Sequence, residues 1–152
     1  MKTNETALSG IQASIEQKKR EAFKKLRQLY THVHGKPAPY YNDDTANSLT
    51  RCIIDYLECK GHQAERVNCF GNPIPQGNGL YKFGKTNMNL GTSDIHAVCE
   101  GIALKIEVKI GSDRMSSYQK QYRDQVIAAG GKYFVARSFD KFLIWFHNEF
   151  GG

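Results

Sequence analysis

Apolar positions along the chain follow two periods, and the places where the period changes mark the elements. Between residues 4 and 33, Ile11, Ile15, Phe23, Leu26, Leu29, Tyr30 and Val33 keep largely to three- and four-residue spacing among charged neighbours, which predicts a long helix. Gly35 ends it, and Pro37 and Pro39 forbid its continuation, so 35–44 is a linker and the helix is either an appendage or a dimerisation arm. Leu49, Cys52, Ile53, Tyr56 and Leu57 form the stripe of a second helix from Thr45 to Lys60, with Asp43 or Asp44 as cap and Gly61 as stop. Ala64 to Phe70 then has the character of a strand. The run 71–79, rich in Gly, Pro and Asn, predicts a loop, Leu80 to Phe83 a short strand, and 84–91 a second irregular stretch.

The alternation is clearest in Ser93–Cys99 and Ile102–Ile110, which are separated only by Glu100-Gly101. Two residues between alternating runs predict a hairpin. Its register sets Ile95 against Ile106, Ala97 against Leu104 and Cys99 against Ile102, making one face wholly apolar; a one-residue slip would scramble that face. A helix follows from Met115 to Ala129, capped by Ser112 or Asp113, with Tyr118, Tyr122 and Val126 on one face and Gln119 and Arg123 on a neighbouring one. Gly130-Gly131 stops it. Lys132–Arg137 is a strand too apolar to be an edge exposed on both faces, and Ser138 can cap a last helix from Phe139 to Asn148, with a strand at 142–146 as the alternative. Helix, strands, helix, strand, helix predicts one α/β or α+β domain with its sheet between helices.

The other face of the hairpin carries the chemistry. The same register sets Asp94 opposite Glu107 and Thr92 opposite Lys109, and facing side chains lie roughly 4.5–5.5 Å apart at Cβ. Two carboxylates so placed repel unless positive charge lies between them. Lys109 supplies one such charge, and a hard divalent cation would supply two more. The competing explanation is an ordinary solvated hairpin face. His96 shares the face with Asp94, either as a ligand or base or as a packed histidine, and His32-Val33-His34 at the first helix end is a surface feature.

Composition narrows the classes. At 152 residues and 40% hydrophobic the chain makes one globular domain, and its densest apolar run, 142–146, is far below bilayer-spanning length. The first residues open no apolar leader-like stretch, so a soluble, cytoplasmic protein without membrane partners is expected. Cys52, Cys59, Cys69 and Cys99 form no CxxC pair, which argues against zinc and for free thiols. The net charge of +6 is uneven: residues 1–36 hold eight Lys/Arg against three Asp/Glu, leaving +1 for the remainder. Lys18, Lys19, Arg20, Lys24, Lys25 and Arg27 crowd ten positions, a run that can hold phosphates or form a solvated helix face.

Gly91-Thr92-Ser93-Asp94-Ile95, then Gly101, then Ile106-Glu107-Val108-Lys109 resemble the PD-(D/E)XK nuclease signature, and more narrowly the chain resembles a standalone VRR-NUC domain. Arg114-Met115-Ser116 with Gln119, and the run Gly130 to Ser138, extend the resemblance, which covers about residues 45–146. It implies a restriction-endonuclease-like core over 37–152, a central mixed β-sheet flanked by helices, with residues 1–36 as a basic helical extension. It further implies a metal-dependent DNA endonuclease of bacterial or phage type. Asp94, Glu107 and the Val108 carbonyl would hold Mg²⁺ or Mn²⁺, Lys109 would act on the water or the phosphate, and Gln119 would support the site. Standalone members are expected to be homodimers acting on branched or Holliday-junction DNA. Two departures stand out: Ser93 occupies a position where the family usually has Pro, and around the position where the family has a Glu on the first core helix this chain has Ala46, Asn47 and Thr50, of which Asn47 or Thr50 could offer oxygen, or Asp43 or Asp44 could reach in. The missing acid supports an alternative, a catalytically degenerate DNA-binding module of the same fold.

Overall fold

The computed structural model describes residues 2–67, 73–83 and 90–151. Its described residues form an α+β fold with four helices, a mixed four-stranded sheet and a separate two-stranded sheet. The large sheet has the order β1 (Gln63–Arg66), β4 (Ile95–Cys99), β5 (Ile102–Val108), β6 (Lys132–Ala136). β1–β4 and β4–β5 are antiparallel, whereas β6 runs parallel to β5. The parallel pair needs a crossover, and α3 (Ser117–Ala128) provides it.

The hairpin register is as the pattern requires: Ile95 pairs with Ile106, Ala97 with Leu104 and Cys99 with Ile102, all but one of them buried. Glu100 and Gly101 make the turn, both at positive φ (53° and 79°), the type I′ signature of a two-residue loop. Pro73–Gly77 (β2) and Leu80–Phe83 (β3) correct the expected loop at 71–79, because they form a second antiparallel hairpin. Asn78-Gly79 turns it, with φ of 52° and 74°. The prolines are tolerated because a two-stranded ribbon leaves one edge of each strand without a partner. The predicted strand to Phe70 is confirmed only as far as Arg66; 68–70, and with them Cys69, lie outside the described residues, as does most of 84–91. Cys52, Cys59 and Cys99 are free thiols.

α2 (Ala46–Cys59) and α4 (Phe139–Phe150) cover the apolar face of the sheet, and α1 (Lys2–His34) packs against both. No strand forms at 142–146, since Phe139, Phe142, Leu143 and Phe146 at helical spacing are all buried. Tyr56 meets Phe139, Phe142 and Phe146 edge-on at ring centroids of 5.7–6.1 Å, and Phe134 stacks on Trp145 at 4.5 Å. α1 divides in two. Ile11 and Ile15 remain exposed, while Ala22 and Leu26 are buried and Phe23 stacks on Phe139, so its second half belongs to the core rather than forming an appendage.

Two expected caps are replaced by others. Thr45, not Asp43 or Asp44, caps α2 by accepting from the Ser48 amide. Ser138 occupies the N-cap position of α4 but makes no capping hydrogen bond. Asp43 caps α4 instead, from 96 residues away: Oδ2 accepts from the Phe139 amide at 2.9 Å and Oδ1 pairs with Lys19 at 3.3 Å. One buried carboxylate thus ties α1, the linker and the positive end of α4 together. Asp43→Ala is expected to lower stability by about 1–3 kcal/mol, since it removes a cap and strands a buried donor. Ser138→Ala should cost nothing, because the buried Ser138 hydroxyl has no partner. Urea midpoints of the two variants check the contrast.

Candidate functional site

β6 shows how the sheet divides its labour. Phe134 points to α4, whereas Tyr133 meets Tyr122 of α3, ring centroids 6.4 Å apart. The α3 side is therefore the polar side. It carries His96, Lys105, Glu107 and Lys109, and α3, with no fully buried residue of its own, covers it incompletely.

Glu107 is at the centre, 2% exposed. Its Oε1 accepts from Lys109 Nζ at 3.1 Å and from Gln119 Nε2 in a short hydrogen bond. Its Oε2 is buried and accepts no hydrogen bond among the described residues. Burial, and next the charge of Asp94, push the Glu107 carboxyl up to about 7, against the opposing pull of Lys109. Desolvation acts on Lys109 in the opposite sense, but Glu107 and Asp113 (3.3 Å) outweigh it and raise its pKa.

Gln119 is aimed by its own helix end. Ser116, not Ser112 or Asp113, is the N-cap of α3, and the two form a capping box: Gln119 N donates to Ser116 Oγ, and Ser116 N donates to Gln119 Oε1. With its oxygen engaged there, the amide has only its NH₂ to turn toward Glu107. The same helix turn is pressed by Gly91, where a Cβ would lie 2.3 Å from the Tyr118 carbonyl and φ is +80°. The glycine lets the segment leading to Asp94 lie directly on the turn that holds Gln119.

Asp94 departs from the simple register. The β4–β5 ladder ends at Ile95, and Asp94 sits in a bend just before it. Its Oδ2 accepts from the Val108 amide at 2.8 Å, substituting for a ladder bond, and its own carbonyl accepts from Val67 N. Its Oδ1 has no hydrogen bond among the described residues. Asp94, Glu107, Val108, Lys109 and Gln119 are thus one connected cluster. Two unused oxygens, Asp94 Oδ1 and the orphaned Glu107 Oε2, suit a hard cation. Among the described residues no group of three His, Cys, Asp or Glu side chains could hold a metal.

The remaining candidates are elsewhere. Asn47 Oδ1 accepts from Arg66 at 2.7 Å, and the buried Thr50 hydroxyl bonds neither carboxylate. Asp43 is spent on Lys19 and α4, so no acid of the linker's buried end reaches in. His96 lies 3.4 Å from the Tyr122 hydroxyl, and burial lowers its pKa. The basic run of α1 does not form one face: at 100° per residue, Lys18 and Lys25 flank the buried Ala22–Leu26 stripe, whereas Arg20, Lys24 and Arg27 lie on the side of the helix facing away from it. Lys19 is taken by Asp43. Asp113 and Tyr133 belong to the cluster but carried no sequence signal, since Asp113 resembled a cap and Tyr133 stood in an apolar run.

Comparison with known protein families and with curated proteins finds no match to this chain. No helix among the described residues is long and apolar enough to cross a membrane.

The raised Glu107 pKa has a sign. In the metal-free protein the folded state holds this proton more tightly than the unfolded chain, so the contribution is fully present below about pH 4.5 and is lost as pH rises through 7. The folded protein should lose at most about 3 kcal/mol between pH 5 and 8 on this account. Denaturation of wild type and Glu107→Gln at both values checks it; the variant should lack that component of the slope.

Proposed function

We propose that the chain is a metal-dependent DNA endonuclease of the PD-(D/E)XK type, similar to standalone VRR-NUC domains, acting on branched DNA as a homodimer. The observation that carries this reading is the orphaned Oε2 of a 2%-exposed glutamate, beside a second carboxylate with an unused oxygen. Leaving an ionised carboxylate buried and half-bonded is costly, and a cation removes that cost. Asp94 and Glu107 would hold Mg²⁺ or Mn²⁺, with the Val108 carbonyl as a further oxygen. When bound, such an ion lowers the pKa of a coordinated water and offsets charge on the phosphate. Lys109 is held against Glu107 and Asp113, where its ammonium can orient the attacking water or meet the scissile phosphate. Gln119 keeps Glu107 Oε1 fixed, which leaves Oε2 for the ion.

One observation favours a second reading, a DNA-binding module without catalysis: α2 has no acid in its first turn, and Asp43 is engaged elsewhere. Cleavage of linear, flap and four-way DNA with Mg²⁺ or Mn²⁺ separates the two. Asp94→Asn and Lys109→Ala should each lower the rate at least ~100-fold. Activity that survives both substitutions removes the site, and binding without any cleavage supports the module.

DNA holding has its own test. Removing residues 1–36 would take Ala22 and Leu26 out of the core, so charge removal is the cleaner change. Replacing Arg20, Lys24 and Arg27 together by Gln should reduce the salt slope of DNA binding by up to about 3 if each meets a phosphate. An unchanged slope takes that side of α1 out of the interface.

A further inference from the structure

The site contains a second orphaned polar atom that the proposed chemistry does not use. The Tyr133 hydroxyl is buried and makes no hydrogen bond among the described residues, although a buried phenol ordinarily finds a partner. Its position is set by the sheet: Tyr133 pairs with Lys105, and Glu107 pairs with Val135 one alternation further on, so Tyr133 and Glu107 project from the same face of adjacent parallel strands. Its ring is braced edge-on by Tyr122, whose hydroxyl is next to His96. Glu107 and then Asp94 are the charges that, after burial, hold the phenol well above its usual range, so its oxygen lies in the field of both carboxylates.

Glu107 Oε2 and the Tyr133 hydroxyl are therefore an acceptor and a donor, both buried, in one neighbourhood and unbonded to each other. A neutral phenol is a poor ligand for a hard cation, but its oxygen is a good acceptor for a water whose O–H the cation has polarised. We propose that Tyr133 is a positioning residue of the cation site, its hydroxyl oxygen accepting from a water in the shell of the ion held by Asp94 and Glu107. This rests on the metal-site reading above and adds to it a side chain from β6, the strand paired with β5. The expected consequence is the one seen when a group orienting a metal's outer shell is removed.

Isothermal titration of the full chain with Mn²⁺, without DNA, tests this in wild type, Tyr133→Phe and Glu107→Gln, alongside melting of each metal-free protein. Tyr133→Phe should raise the Mn²⁺ dissociation constant about tenfold. Its metal-free Tm should stay equal or rise, because the change deletes a buried hydroxyl without a partner. Glu107→Gln should abolish binding. If Tyr133→Phe binds Mn²⁺ as wild type does while Glu107→Gln does not, the assignment of Tyr133 is wrong and the metal site stands. A lower metal-free Tm in Tyr133→Phe would mark a structural role and likewise overturn the assignment. If wild type binds no Mn²⁺, or Glu107→Gln binds it equally, the metal reading itself fails.

Discussion

The constraint on which the rest depends is a carboxylate taken almost entirely out of water at the end of a strand. Glu107 sits on β5, one of the two inner strands of the sheet, so its backbone cannot move to bring the side chain to solvent. Everything around it compensates in part. Lys109 and Gln119 converge on one oxygen, and Asp113 anchors the lysine. Arg137 donates to the Gly111 and Asp113 carbonyls and so steadies the loop from which Asp113 reaches. The compensation is incomplete, for Oε2 gains nothing and Asp94 adds a second negative charge. A sheet designed for stability alone would place an apolar residue here.

The fold can carry this unfavourable point because its cohesion lies on the other face. Two helices, α2 and α4, lie on the face carrying Ile95, Ala97, Leu104, Ile106 and Phe134 with α1 packed against them, and a chain of ring contacts runs from Phe23 through Phe139 and Phe142 to Trp145. Asp43 joins that layer at the start of α4 without drawing on the site. α3, by contrast, contributes no fully buried side chain; it is fixed by its capping box, by the contact with Gly91 and by the hydrogen bond to Glu107. Helix position and site geometry are thus mutually dependent, since moving the first turn of α3 releases Gln119.

What was legible in the sequence follows the same division. The hairpin register could be derived because its buried face is uninterrupted, and a slip would have exposed it. The closeness of Glu107 and Lys109 followed from strand alternation, whereas the approach of Gln119 was implied only by the family resemblance. Asp94 leaving the ladder did not, because a side chain accepting the Val108 amide looks the same in sequence as one facing across the strands. Tyr133 was hidden by its neighbours: in Tyr133-Phe134-Val135-Ala136 an apolar run conceals an alternation in which one face is a site. Asp43 was misassigned because local capping rules favour the nearest helix, whereas the helix it caps is nearest only in space. The β2–β3 hairpin was obscured by Pro73 and Pro75, although Asn78-Gly79 was a sufficient turn signal.

The layering also changes how the +6 charge is interpreted. α1 packs against α2 and α4, on the side of the sheet away from α3, so its exposed cations and the Asp94–Glu107 pair belong to different layers. A polyanion touching both must pass around an edge of the sheet. Contact at the site itself therefore falls to cations on the α3 side, of which Lys109 is committed to Glu107 and Asp113. Lys105, two residues before Glu107 on the same face, is half-buried, makes no ion pair among the described residues, and is depressed in pKa by burial against the opposing charge of Glu65. Net charge by segment places the basic excess on α1, but the sheet determines which cations can act beside the carboxylates.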